Sequence, residues 1–428
     1  MSAPMTYDDQ RSFIELTKIF FIDARNALSA MTLSGRIAHI FWLLGPFILL
    51  IERSPADLWL TVLAFTFLFR AIIKRDFHWL SHFWVRASLA FWLVCLISGA
   101  VSLQPAYAVG EAFIWIRFPL FAFATAFWLA KDRRLLYAMI ISTGLGMVTM
   151  CGILAAELLI LGQQDGRLSW PYGDLVPGNY LAKVGLPAFM VLIALAVSIR
   201  GRLAGILSVV GLMTMFFSVM TGERINFLIR ACGGLLAGLA WKPKWRRYLA
   251  LVLIEVFAVV MLISAAPGLS ERYVTHFAYH IPIHEDSQYF KTMKPGIMAF
   301  QEAPILGIGT ANFRDMCPEI TDDDPALQCH PHPHNFYIQL LAETGIIGFI
   351  FGSVMMWSMI ITCLGARRRN PDNVLAATAF IIPLGLFWPV ASTSDFFGQW
   401  NNIFMWSALA LAMAGTTLKR EIKEDAQT

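Results

Sequence analysis

The chain has 428 residues, 57% of them hydrophobic and only 14% charged, with a mean hydropathy of +0.61 and a net charge of +4. A soluble domain carries roughly 25% charged residues, so composition excludes an ordinary soluble protein. Apolar runs long enough to cross ~30 Å of hydrocarbon recur along the whole length. They predict an all-α polytopic membrane protein built as a single integral domain over residues 1–428, with no nucleic-acid partner. The N-terminal residues are polar and no apolar core precedes a small-residue cleavage site, so no cleavable signal peptide is expected.

Twelve spans are predicted, at about 37–51, 56–73, 87–103, 112–130, 135–161, 180–199, 203–220, 223–241, 247–266, 337–365, 372–391 and 400–418. Ahead of them, Arg11 to Ala30 is mixed and amphipathic, which suits a helix lying on the membrane rather than crossing it. Of the 33 Lys and Arg, 23 fall in every second connection, from the Arg11–Arg36 stretch to Lys419, Arg420 and Lys423. The positive-inside rule then puts both termini in the cytoplasm. Arg53, Arg117, Arg167, Lys183, Arg224, Arg230, Arg272, Lys291, Lys294 and Arg314 remain, in outer connections or the outer third of a span. Arg117, Lys183 and Arg230 lie within apolar runs, where a cation costs about 2.5–3.5 kcal/mol at mid-depth. Either each one snorkels to the interface, or together they face an anionic ligand in the outer leaflet.

The outer loop GQQDGRLSWPYGDLVPGN, 162–179, is punctuated by Gly, Pro and Asp. It offers Arg167, Asp174 and Asn179 as polar candidates, against the plainer reading of a surface loop. The hairpin MTGERINFLIR, 220–230, carries Arg224 at the start of the eighth span. The planar guanidinium suits bidentate binding of phosphate oxygens; the alternative is a Glu223–Arg224 ion pair.

The longest polar segment, 267–336, separates spans nine and ten and is expected outside. His276, His280 and His284 recur every four residues, but Pro282 breaks a common helix face and no partner stands at metal-site spacing. Gly307 and Gly309 either form a plain turn or let backbone N–H groups make an anion nest. Cys317 and Cys329 flank an acidic stretch, and outside the inner membrane they are expected to form a disulfide. The other four cysteines fall inside apolar runs and read as packed thiols.

Next comes HPHPHNFYIQLLAETGIIGF, 330–349. Prolines alternate with His330, His332 and His334, forcing an extended path that turns alternate rings to similar sides. A zinc or nickel site would lack closing ligands. The preferred reading makes His334, beside Asn335 and a helix start, a general base with an ordinary pKa of about 6.5. Glu343 lies nine residues on, too far to orient His334 by itself. In the last outer connection, Asp395 either caps a helix, orients the His or binds a sugar hydroxyl.

The combination of HPHNFYIQLLAETGIIGF, PILGIGTANF about twenty residues earlier and TGERINFL at a hairpin tip resembles the O-antigen ligase and polymerase superfamily of bacterial envelope glycosyltransferases. The resemblance covers about Gly162 to Phe349 in motif order. It implies a GT-C-type fold in the bacterial inner membrane, with the active site facing the periplasm. The implied donor is a glycan on undecaprenyl diphosphate. His334 matches the family's essential His and Arg224 its essential Arg; Arg272 matches a second Arg less closely. Many members have Arg where Lys291 or a neighbour stands, which leaves Lys291 without an assigned role.

The expected function is therefore transfer of the glycan to a sugar hydroxyl of lipid A–core, inverting and without a metal or other cofactor. His334 would be the base and Arg224 the catalytic cation. Arg272, Arg167, Arg117, Lys183, Arg230, Asp395 and Asn335 would bind diphosphate or sugar. Within the resemblance, chain length favours the ligase branch over the protein O-oligosaccharyltransferases, which usually carry an added C-terminal region; O-antigen polymerases have similar length and stay as the alternative. A transporter or flippase for an anionic lipid would also use intramembrane cations, but it would call for internal repeats, and no convincing one is seen.

Overall fold

The structure is a computed structural model that describes residues 13–163, 166–170, 176–276, 287–321 and 326–418. His280, His284, Asp174 and the acidic stretch 322–325 lie outside the described residues. Every described element is helical, and helices occupy each of the twelve predicted stretches. Among the described residues, seven helices are long and apolar enough to cross a membrane unaided. They are Arg53–Lys74, Phe83–Ala100, Pro105–Leu129, Arg133–Ile160, Arg202–Met220, Trp245–Ala265 and Phe336–Arg369. An eighth forms if Val176–Val184 and Leu186–Ser198, bent by 57° at their junction, count as one span. The chain is thus a polytopic helical membrane protein.

The other predicted runs are helical but short or interrupted, for reasons written in their residues. The first begins at Leu33, capped by Thr32, and breaks at Leu44 just before Gly45 and Pro46. The eleventh runs only from Val374 to Leu386. Pro389 follows, and the residue before a proline is pushed out of the helical region. The Arg11–Ala30 stretch gives a helix, Phe13–Ser29, that packs on Arg133–Ile160 with Ala24 and Ala27 buried.

Depth in the bundle does not follow hydropathy. In the Gln399–Thr416 helix every residue from Asn401 to Gly415 is buried, whereas the more apolar Trp245–Ala265 helix buries only Tyr248. Phe91, Trp115, Phe336, Phe396, Phe397 and Trp406 pack edge-to-face and stacked around the first turns of the Gln399–Thr416 helix. Cys95, Cys151 and Cys363 are buried as expected, but Cys232 is exposed on the bundle surface.

The tenth span is two helices joined at Gly345, whose φ of 63° and ψ of −167° are not helical. The joint frees backbone groups, and the segment before it supplies their partners. Ile346 and Ile347 donate to the carbonyls of Pro304 and Ile305, while Ile308 and Gly309 donate to those of Ala342 and Glu343. A Cβ on Gly307 would sit 2.3 Å from the Glu343 carbonyl carbon, and one on Gly345 would sit 2.3 Å from the Ile305 oxygen. The Gly-Ile-Gly and Glu-Thr-Gly motifs are therefore two halves of one joint, and Gly307 and Gly309 serve packing rather than an anion nest.

Candidate active site

Described residues of the connections 161–170, 220–224, 266–276, 326–335 and 387–398 meet at one end of the bundle, where Leu168 donates to the Met220 carbonyl, Tyr273 to that of Val219 and Thr393 to that of His334. There the Asn335 amide oxygen caps the tenth span by accepting the N–H groups of Tyr337 and Ile338 at 3.0 and 3.2 Å. Its amide nitrogen donates to the carbonyls of Pro389 and Ala391. Asn335 is thus committed to fixing the helix start against the last outer connection. His334 precedes it at φ 54°, a region that costs a non-glycine residue about 1–2 kcal/mol. Its carbonyl accepts the N–H of Thr393 at 2.9 Å. A strained residue clamped from both sides is the kind of arrangement found where a side chain must be aimed.

The three imidazoles gather around His334, with ring centroids 5.3 Å away for His330 and 4.4 Å for His332. Burial, then the neighbouring His332 and His330, push His334 down to about 4. Burial, then His330, Arg314 and Lys183, push His332 to about 4 as well. His334 is therefore neutral near pH 7, with a lone pair to accept a proton. Among the described residues, no group of three His, Cys, Asp or Glu side chains is arranged to hold a metal ion. His276 lies apart, 3.4 Å from Glu271.

Behind the imidazoles, Gln339 bridges two largely buried carboxylates. Its amide nitrogen donates to Asp395 at 2.7 Å and to Glu343 at 3.3 Å, and its oxygen accepts the N–H of Phe396. Glu343 also accepts the N–H groups of Ala311 and Phe313, so it braces the joint described above. Burial raises the Asp395 carboxyl, with Gln339, the Phe397 N–H and Arg314, 3.7 Å away, pulling the other way.

A second group of charges surrounds the 220–224 hairpin. Arg167 and Arg272 both cross Gly222, whose φ is +69°: a Cβ there would lie 3.0 Å from Arg167 Cβ and 3.2 Å from Arg272 Cδ. Two residues on, Arg224 Nη1 is buried without a hydrogen-bond partner. Glu223 takes the amides of Asn179 and Asn226. The stems of Arg167 and Arg272 thus meet at the turn that carries Arg224, whose guanidinium has a buried donor without a partner.

Lys183 connects the two groups. It donates to Asn401, whose amide donates to the Asp395 carbonyl. Its charge is felt by Glu223 on one side and His332 on the other.

The remaining predicted ligands are placed elsewhere. Arg117 pairs with Asp57 at 3.0 Å and donates to the Ile114 carbonyl. Arg230 is fully buried inside the bundle; it donates to the Leu181 carbonyl and Thr214 and lies over the Phe189 ring at 3.9 Å. Cys317 and Cys329 are bonded, closing the loop that ends at His330. Sequence reasoning missed Gln339 and Asn401, uncharged residues hidden within apolar runs. It also missed Glu157, 2% exposed, which accepts the N–H groups of Ser169 and Trp170. A carboxylate four residues from the end of an apolar run was the available signal.

Residues 188–352 match the family model described as O-antigen ligase. Over that stretch the chain is similar to the O-antigen ligase family. Within the O-antigen ligase match fall Arg224, Arg230, Arg272, the disulfide, His334 and Glu343, while Arg117, Arg167, Lys183 and Asp395 lie outside it. No curated protein matches the chain.

Proposed function

We propose that this chain is an O-antigen ligase that transfers a glycan from undecaprenyl diphosphate to a sugar hydroxyl of lipid A–core. In this reading it is a twelve-span, GT-C-type enzyme of the bacterial inner membrane, with cytoplasmic termini and its site open to the periplasm. The observation that carries the proposal is the buried, unpartnered Arg224 Nη1 beside Arg167 and Arg272. A desolvated donor among like charges calls for an anion.

The diphosphate oxygens accept from Arg224, Arg272 and Arg167. His334 takes the proton of the acceptor hydroxyl as its oxygen attacks the anomeric carbon. The bond from that carbon to the phosphate oxygen breaks, and the electron pair leaves with undecaprenyl diphosphate. Attack from the side opposite the leaving group inverts the anomeric centre. The three guanidinium groups stabilise charge growing on the diphosphate; proton removal contributes roughly 10²–10⁴-fold. A base held near 4 is weak in the empty site, and an arriving dianion raises it by favouring the imidazolium. Asp395, beside Arg314, is set to orient a sugar hydroxyl.

An O-antigen polymerase would use the same donor and the same base, with a second lipid-linked repeat as acceptor. A flippase would move the donor without making a bond. The deciding experiment reconstitutes the purified protein with labelled lipid-linked glycan and each acceptor in turn. Label is expected on lipid A–core, and none with His334→Ala. Product made only with the second lipid-linked repeat identifies a polymerase, and donor movement without a new glycosidic bond identifies a transporter.

A further inference from the structure

The opposite end of the bundle holds a feature that the transfer reaction does not use. Past its joint at Gly345, the Phe336–Arg369 span still runs about 24 residues, about 36 Å at 1.5 Å per residue, enough to cross the hydrocarbon. Its last turns therefore lie at the far membrane surface. There Leu364, Arg367 and Arg368, with Ala240 at the end of the Arg224–Ala240 helix and Pro371 in the following turn, line a cavity of about 340 Å³.

The walls are fixed before anything enters. Asn370 donates to the Leu418 carbonyl, Asn373 to the Tyr137 hydroxyl and the Trp241 indole to the Asp372 carbonyl. Arg367 lies over the Phe380 ring at 5.2 Å, so its guanidinium is already oriented. Asp372, next to Pro371, pairs with Lys242 at 2.5 Å. Among the described residues neither Arg367 nor Arg368 has an acidic partner. Cations in a last helical turn are partly accounted for by the helix dipole. That account explains the charge but not a braced cavity lined by two arginines together with the apolar Ala240, Leu364 and Pro371. Trp245, 60% exposed at the same end of the bundle, is the kind of residue that sits at headgroup depth.

We infer that this cavity binds the phosphate of an anionic phospholipid from the leaflet facing away from the imidazoles. Arg367 and Arg368 would hold the phosphate oxygens, and the apolar lining would take the start of the acyl chains. Basic pockets between spanning helices suit such headgroups, each cation near the surface contributing about 1 kcal/mol.

The test uses the full chain purified in mild detergent and analysed by native mass spectrometry after incubation with phosphatidylglycerol, cardiolipin or phosphatidylcholine. The wild type is expected to retain one anionic phospholipid through activation that strips phosphatidylcholine. Arg367→Ala with Arg368→Ala should lower that occupancy at least tenfold. Ala240→Phe keeps both arginines but fills the cavity, and it should do the same. Arg200→Ala with Arg202→Ala removes exposed cations of that end outside the cavity and should leave occupancy unchanged. Equal loss in this control, or full retention in Ala240→Phe, would mean diffuse surface attraction and overturn the site. Millimolar inorganic phosphate should not displace the lipid; displacement would identify a free-phosphate site and overturn the lipid assignment. Catalysis plays no part in the readout, so failure here leaves the proposed transfer reaction untouched.

Discussion

Arg167 crosses the Cα of Gly222 so closely that a methyl group on the glycine would lie 3.0 Å from the arginine Cβ. Arg272 crosses the same glycine from its own segment. The absence of a side chain at 222 is what lets the two guanidinium stems approach the turn that carries Arg224. Gly222→Ala should therefore strain the turn by about 1–2 kcal/mol through its positive φ and also push both stems apart. The expected result is a modest fall in melting temperature with a much larger loss of transfer. A variant that loses stability but turns over normally would detach the three arginines from catalysis.

Arg167 has its own support. Glu157 holds the N–H groups of Ser169 and Trp170 at 3.0 and 2.9 Å, and the Leu168 N–H donates to the Met220 carbonyl. Glu157→Gln replaces one acceptor oxygen with a donor that faces a backbone N–H. Losing a hydrogen bond to a charged group costs about 1.5–3 kcal/mol, which predicts a rise of tenfold or more in KM for the lipid-linked donor. If the carboxylate acts only by placing Arg167, Arg167→Ala should add little in the Glu157→Gln background. Additive losses would give Glu157 a separate role.

The layout of helices was legible because apolar runs and alternating cations both repeat along the chain. Candidate site residues stood out where a residue type is unusual for its place, as with Arg224 in a tight hairpin or His334 between proline and a helix start. Depth was not. Arg117, Lys183 and Arg230 look alike as cations in apolar runs, yet each has a different partner: Asp57, Asn401 and the Leu181 carbonyl. Those partners are 60, 218 and 49 residues away in the chain, beyond any local pattern. Asn335 read as a ligand because it adjoins His334, but its amide is spent on a cap and two carbonyls. The His334 pKa was also out of reach, because it depends on burial and on two neighbouring rings.

That pKa makes a prediction of its own. In the proposed reaction the neutral imidazole is the active form, so activity is expected above the pKa and lost as pH falls through it. With His334 near 4 in the free protein, the acid limb of kcat/KM should fall well below the 6.5 of an ordinary histidine. The limb of kcat should lie higher, because bound diphosphate favours the imidazolium. Profiles of both parameters between pH 4 and 8 would check this. An acid limb of kcat/KM near 6.5 would point to an exposed group instead.

Arg224 and Arg230 share one helix, six residues apart, about 9 Å along its axis. That distance separates two roles. Arg224 Nη1 is buried without a partner at the hairpin, whereas Arg230, inside the bundle, gives Nη1 to Leu181 and Nη2 to Thr214 and stacks over Phe189, leaving only Nε unpartnered. The carbonyl of Leu181 belongs to the π-turn Tyr180–Val184, just before the 57° bend, so Arg230 braces the broken helix that also carries Lys183. Arg224→Ala should leave the melting temperature near that of the wild type while lowering transfer 100-fold or more, about 2.7–4 kcal/mol of lost transition-state stabilisation. Arg224→Lys should restore little, because an ammonium lacks the bidentate fork. Arg230→Ala should do the reverse in kind. It strands a buried carbonyl at about 1–3 kcal/mol and should appear first as reduced thermal stability in detergent. Transfer measured well below the unfolding temperature should then recover most of its rate. An Arg230→Ala protein that melts normally but transfers nothing would return Arg230 to the substrate site.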